Sequence, residues 1–372
     1  MSQQKKASKL IFVLLVVAFL WTPALAVAVP NYYPKDYDKI IDASRAEKGL
    51  YIYSNVSTDN WKPLLAVFNK LYPWINVKLL DLGGSEVLPR YIAESQTGTP
   101  TADFLVTQSA PGWARLLGEN RLLRYPSPEI PHLPVWASRQ ETVYSFSADP
   151  AIMAWNTKIF PADMVPKGMA DFAEKVQKKP DFFRGRLTSY NEGAFGGYSA
   201  FGFYKHHGEK FWNWLDIIGP MTRPGSSGGD QLEKMLSGEY MMSWNFSAIN
   251  LASSTAKRAG NLIGWKYTED GNPVLVRGMG ITIKAANPNS AKLLLDLLLS
   301  QEGQVALSKG NMTVYRPDAA DKIPEPTLHL AGLIKAIGEK NMIVVGWDPE
   351  YGDEAKFKAL QARWRQAVFG KK

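Results

Sequence analysis

Two spacings of apolar residues alternate along this chain. Short apolar runs give way to longer stretches in which apolar residues recur every third or fourth position, so the pattern predicts strands interleaved with amphipathic helices. Leu50–Ser54 reads as a strand. Trp61, Leu64, Leu65, Phe68 and Leu71 then share one face of a helix. Ser57, Thr58 or Asp59 caps its start, and Pro73 lies just beyond its end. Residues 75–82 predict a second strand, and Gly83-Gly84-Ser85 opens a helix carrying Val87, Leu88, Tyr91 and Ile92. A third strand is predicted over 103–107, after which Ser109 caps a helix with Trp113, Leu116 and Leu117, closed by Gly118. Three times a strand runs into a small polar loop and then a helix start, the signature of an α/β fold.

The middle of the chain departs from this alternation. Val143–Asn156 is a long extended run broken only by Asp149-Pro150, and a second runs over 274–283. Both read as crossings between domains. They predict one lobe over 50–144 plus 277–320 and another over 145–276, with helices at 290–307, 330–337 and 353–369 packing on a lobe. Two α/β lobes joined by two crossing strands make a hinged clamp with the ligand cleft between them.

Lys5, Lys6 and Lys9 precede an apolar run over 10–21, and Ala24, Ala26 and Ala28 follow Pro23. This is the pattern of a cleaved signal peptide over 1–28, too short in its apolar part to span a bilayer. The expectation is an exported, periplasmic, soluble product. The absence of cysteine among 372 residues excludes disulfide scaffolds, thiolate metal sites, cysteine nucleophiles and an N-terminal Cys lipid anchor. The formal charge of +8 falls when the three leader lysines are removed. No basic run with interleaved aromatics remains, which argues against nucleic acid. A modest positive excess suits a small anion.

The loops agree. The strand-to-helix loops hold Ser54, Asn55, Ser57 and Thr58; Gly83, Gly84 and Ser85; and Thr107, Gln108 and Ser109. In open α/β sheets ligands bind beyond the carboxyl ends of the strands, where helix starts present free N–H groups to an anion. The other lobe offers Tyr190, Asn191, Glu192, Gly193 and Ala194; Ser226 and Ser227; and Trp244, Asn245 and Ser247. Other chemistry falls away. Gly225-Ser226-Ser227-Gly228-Gly229 fits a hydrolase elbow, which leaves a secreted serine hydrolase using Ser227 as an alternative. Arg223-Pro224 precedes it, however, where a central strand is required. His206-His207 has no acid at ligand spacing, so neither a metal nor another cofactor is expected.

The order of Tyr53-Ser54-Asn55, Thr99-Pro100-Thr101-Ala102-Asp103-Phe104, Gly185-Arg186-Leu187, Ser237-Gly238-Glu239 and Ser300-Gln301-Glu302-Gly303-Gln304 resembles the periplasmic solute-binding proteins of ABC importers. Its nearest branch is that of the ferric-ion-binding proteins. The resemblance implies a type II periplasmic-binding fold that closes on a solute and presents it to a permease in the inner membrane, working as a monomer and not as an enzyme. That branch holds iron with a His, a Glu and an adjacent Tyr pair; the matching places here carry Ser57, Thr107, and Phe246 with Ser247. Hydroxyls are poor ferric ligands, and the sole adjacent tyrosines are Tyr32-Tyr33 near the amino end. Gln108, Gly193-Ala194 and Asn245 match places where the family grips the accompanying anion. The resemblance therefore implies an anion site without its metal, for a carboxylate or a phosphate ester or phosphonate. Ferric transport through unorthodox ligands is its alternative. Arg277, on the second crossing, and Arg316 are the candidate charge partners, since a guanidinium grips such groups bidentately.

Overall fold

A computed structural model describes residues 29–84, 86–347 and 349–370. The segment read as a signal peptide, 1–28, and the candidate Ser85 lie outside the described residues. The chain divides into two compact units, Met1–Tyr33 and Pro34–Lys372. In the first, the Tyr33 amide donates to the Pro30 carbonyl at 3.0 Å in a tight turn. All the helices and strands discussed below belong to the second.

Its strands are β1 Leu50–Ser54, β2 Val77–Asp81, β3 Phe104–Thr107, β4 Ser138–Arg139, β5 Val143–Asn156, β6 Leu187–Tyr190, β7 Thr222–Gly225, β8 Met242–Ser247, β9 Ile263–Lys266, β10 Asn272–Ile281 and β11 Met342–Val345. The helices in its first part are α1 Asp38–Arg45, α2 Thr58–Leu71, α3 Val87–Thr97 and α4 Ala110–Gly118. The middle holds α5 Met169–Lys178, α6 Pro180–Phe183, α7 Ala194–His207, α8 Glu209–Ile218, α9 Gly228–Ser237 and α10 Ser254–Ala259. The last are α11 Pro288–Leu299, α12 Gln301–Lys309, α13 Leu330–Ile337 and α14 Glu354–Phe369.

Among the described residues these strands form one sheet in the order β2-β1-β3-β10-β5-β8-β6-β7, with β11 beside β10, β4 beside β5 and β9 beside β5. The three predicted strand–loop–helix units become β1-α2, β2-α3 and β3-α4, and β1 pairs in parallel with both β2 and β3. Helical crossovers put all three carboxyl ends on one edge. β6, β7 and β8 form a second parallel set. Pro224 sits in β7, at the sheet's outer edge, where its missing N–H breaks no ladder.

The two sets meet through the long runs. β5 pairs antiparallel with β10 as far as Pro150, and from Ala151 it pairs with β8. Proline has no amide to donate, so it stands where the strand changes partner. The second crossing starts earlier than its apolar pattern implies, because Asn272 is already paired with Met342 of β11. The architecture is that of two α/β halves joined by crossing strands.

The helix read as continuous over 290–307 is two helices. Ser300 takes an extended conformation, and its hydroxyl accepts from the Gly303 amide at 3.1 Å to cap α12. The last helix, α14, buries Leu360, Trp364, Ala367 and Val368 against α7 and α8. On β10, a side chain at Gly278 would overlap the Trp113 indole, so glycine lets α4 lie flat on this strand.

Candidate functional site

The site is built where the carboxyl ends of β1, β3, β6 and β8 approach the middle of β5 and β10. Its centre is a buried ion pair. Arg277 of β10 extends its guanidinium toward β1, where Nη1 donates to Asn55 Oδ1 at 2.6 Å. Nη2 donates to Asp149 Oδ2, on β5, at 3.3 Å. Asp149 is 1% exposed. Burial pushes its carboxyl above the ordinary carboxylate range, and the neighbouring Arg277 offsets part of the rise. Asp149 also lies near enough to the Tyr190 phenol, at the end of β6, to act on it electrostatically; burial is the larger reason that phenol is raised.

From Tyr190 the contacts continue into the second half. Asn250 Nδ2 donates to Tyr190 Oη at 3.3 Å and to the Ser247 carbonyl at 3.0 Å. Gly228, the first residue of α9, lies so close that a Cβ would overlap both Asn250 Nδ2 and Tyr190 Oη. On the first-half side, Thr107 donates to the Gly84 carbonyl at 3.3 Å. Ser109 reaches across to hydrogen-bond Tyr198 of α7. Two hydrogen-bonded groups, Asn55–Arg277–Asp149 and Tyr190–Asn250–Ser247, therefore stand at the strand ends of the two halves.

Arg277 and Asp149 keep unused valences, and so do other buried side chains. Among the described residues, Gln108 Nε2, Ser189 Oγ, Gln231 Nε2, Asn245 Oδ1, Arg277 Nε and Asp149 Oδ1 are buried without a hydrogen-bond partner. Buried polar groups are nearly always paired, so the unmatched Arg277 Nε and Asp149 Oδ1 on one ion pair mark that pair as a place for a guest. The helix starts agree. α2, α4 and α7 have Ser57, Ser109 and Gly193 at their caps, and none makes a side-chain cap bond. Amide groups at these starts therefore have no capping side chain to satisfy them, although Pro111 removes one donor from α4.

The residues expected from sequence sort into three groups. Thr107, Gln108, Tyr190, Ser247 and Arg277 come together around the pair, and Asn245 lies behind them, its Nδ2 donating to Ser199 at 2.7 Å. Asn191 folds the loop itself: its Oδ1 accepts from the Gly193 amide at 3.1 Å. Ala194 follows as the first residue of α7. Ser57 bonds Asn60 and, like Thr58, is exposed at the α2 start.

The third group is placed elsewhere. Trp244 is 1% exposed, and its Nε1 donates to Thr222 Oγ1 at 3.1 Å within the hydrophobic core. It neighbours Asn245 in sequence, but successive side chains of a strand point to opposite faces. Arg316 is 2% exposed and is held by Glu129 and Asp318, so its charge is spent inside the fold. Glu192 pairs with Arg365 of α14 at 2.8 Å, away from Asp149. Ser54 is filled by the Val56 amide and the Trp61 indole, at 3.0 and 2.9 Å. Ser226 is exposed, and Ser227 caps α9 by accepting from the Asp230 amide at 3.2 Å. His329, the one histidine that follows Ser227 in sequence, is engaged by the Arg316 carbonyl and the Ala331 amide. Among the described residues no three His, Asp or Glu side chains are grouped to hold a metal.

Sequence reasoning placed Asn55 in a site loop but missed Asp149 and Asn250 as partners. Asp149 carried a usable signal: it is the one charge inside the apolar run 143–156.

Residues 54–305 match the family described as bacterial extracellular solute-binding protein. A comparison with curated protein sequences finds no match. Among solved structures, the substrate-binding protein of an ABC transporter from Agrobacterium tumefaciens superposes with a TM-score of 0.74 at 22% identity, covering 87% of this chain and 94% of that one. Iron-bound HitA from Pseudomonas aeruginosa gives 0.69 at 17% identity over 85% of this chain and 99% of its own. The periplasmic binding protein AfuA from Actinobacillus pleuropneumoniae, with fructose-6-phosphate bound, gives 0.66 at 18% identity over 86% and 98%. At these identities the likeness is one of fold. No helix of the described residues is long and apolar enough to cross a membrane.

Proposed function

Because the chain belongs to the bacterial extracellular solute-binding proteins, whose members serve ABC transporters, we propose that it captures a small organic anion between its two halves. It then hands that anion to an inner-membrane permease. The anion is a carboxylate, a phosphate ester or a phosphonate. The protein works in the periplasm, as a monomer, after loss of the segment 1–28. The observation that carries this reading is Arg277, a buried guanidinium at the meeting of both halves with its Nε unpartnered. Gln108 Nε2 and the uncapped starts of α2, α4 and α7 add donors around it. A planar guanidinium fork matches carboxylate and phosphate oxygens, and each helix start contributes about 0.3–1 kcal/mol to an anion near it. AfuA, of the same fold, holds a sugar phosphate, which supports the phosphate-ester option.

Solute binding works here by bridging. A ligand held by Arg277 and Gln108 on one side and by the Tyr190–Ser247 group on the other favours the state in which both are near. At micromolar affinity, binding supplies about 8 kcal/mol, ample for a shift of a few kcal/mol.

The test is a thermal-shift screen of the mature protein, stripped of carried-over ligand by unfolding and refolding. The panel holds aliphatic and aromatic carboxylates, phosphate esters, phosphonates, sugars, polyamines and ferric citrate. A ligand at 100 times its Kd stabilises the folded state by about 2.7 kcal/mol. A shift with an organic anion is expected, and it disappears in Arg277→Gln. Shifts with neutral sugars alone, or with ferric ion alone, overturn the anion reading.

A further inference from the structure

Resting on the anion reading, we propose that the solute is zwitterionic: it carries an ammonium group for Asp149 as well as an anionic group for Arg277. The inference starts from what the ion pair leaves undone. At 3.3 Å the Asp149–Arg277 contact is longer than the 2.7–2.9 Å usual for a charge-assisted bond. The guanidinium places one N–H on Asn55 and one on Asp149, and its Nε–H is unmet. The carboxylate is its mirror image, with Oδ2 on Arg277 and Oδ1 without a hydrogen-bond partner, the neighbouring Ser147 hydroxyl being the one protein donor close to it. One buried donor and one buried acceptor are thus vacant on the same two residues. A vacancy of either kind is costly, and more so for charged groups.

Charge decides what fills them. A bare anion drawn to Arg277 also meets Asp149, which shares the same guanidinium, so attraction and repulsion largely cancel. A bare amine meets the opposite conflict. A molecule bearing both charges gives each side chain its complement and leaves no net charge in the buried floor. The other charge once expected here, Glu192, is drawn to Arg365 and does not compete. Tyr190 and Asn250, the next links, are neutral and suit the spacer between the two groups. Asp149 is thereby the specificity-determining residue of the site.

The experiment is isothermal titration of the stripped wild-type protein with three matched series. These are short straight-chain ω-amino acids and aminoalkyl phosphonates, the same acids without the amine, and the same amines without the acid. The expected result is binding of the zwitterions at least about tenfold tighter than the matched acids, with the amines silent; tenfold is about 1.4 kcal/mol. In Asp149→Asn that preference collapses toward unity. Equal or tighter binding of the bare acids by the wild-type protein overturns the zwitterion proposal while leaving the anion reading intact. Binding of neutral sugars with no response to any acid overturns both. The wild-type series alone decides between these outcomes, so the proposal remains testable if Asp149→Asn fails to fold.

Discussion

Replacing Gln108 with alanine separates a residue held ready for solute from one that holds the fold together. Gln108 follows β3, and its Nε2 is buried without a partner. An unsatisfied buried amide costs about 1–3 kcal/mol. Truncation removes that cost from the unliganded protein. It also removes the hydrophobic contribution of a buried methylene, about 0.8 kcal/mol. The unliganded Gln108→Ala protein is therefore expected to be as stable as wild type or up to about 2 kcal/mol more stable. With solute the sign reverses: the lost hydrogen bond weakens binding by about 1–3 kcal/mol, roughly fivefold to a hundredfold. Urea unfolding of the stripped proteins measures the first effect, since a change in midpoint at constant slope is a change in stability. Titration with the most stabilising anion of the screen measures the second. An unliganded variant that loses more than about 1 kcal/mol while its affinity stays at the wild-type value would refute the reasoning and make Gln108 a structural residue.

Two further outcomes test how the remaining groups were sorted. Ser227→Ala removes the cap of α9 and should lower stability by about 1 kcal/mol in urea unfolding, with solute affinity unchanged. A large loss of affinity would return Ser227 to the site. Asp296, buried in α11 and bonded by Tyr37, Tyr125 and Ser127, is pushed up to about 7, chiefly by burial. A carboxyl raised on folding binds its proton more readily in the folded chain. Its stabilising effect is therefore full near pH 4 and is lost as pH rises through about 7. Thermal midpoints measured across that window should fall with rising pH, and Asp296→Asn should flatten the trend.

What the sequence disclosed and what it withheld follow from the range of the interactions. The units β1-α2, β2-α3 and β3-α4 were legible because periodicity, caps and breakers act within a dozen residues. The crossings were legible too, since an apolar run as long as Val143–Asn156 suits a strand buried on both faces. Side-chain partnerships were not. Arg316 looked available until Glu129, far away in sequence, was found against it, and Arg277 finds Asp149 and Asn55 over similar separations. Trp244 shows a different limit: proximity in sequence says little about proximity in space on an element whose side chains alternate. Asp149 was legible in principle. A charge inside an otherwise apolar strand needs a partner or a purpose, and its placement beside Pro150, where β5 changes partner, puts it at the junction of both sets of strands.

The position of β10 between β3 and β5 also bears on how the chain comes into being. Synthesis delivers β1, β2 and β3 early, yet the strand that covers the open edge of β3 lies at Asn272–Ile281, in the second half of the chain. Until those residues arrive, the first set of strands ends in unpaired backbone groups, and Asp149 of β5 has no Arg277 to pair with. Such long-range closure slows folding. In a chain of the extracellular solute-binding family, the sheet therefore locks only after most of the polypeptide has been made.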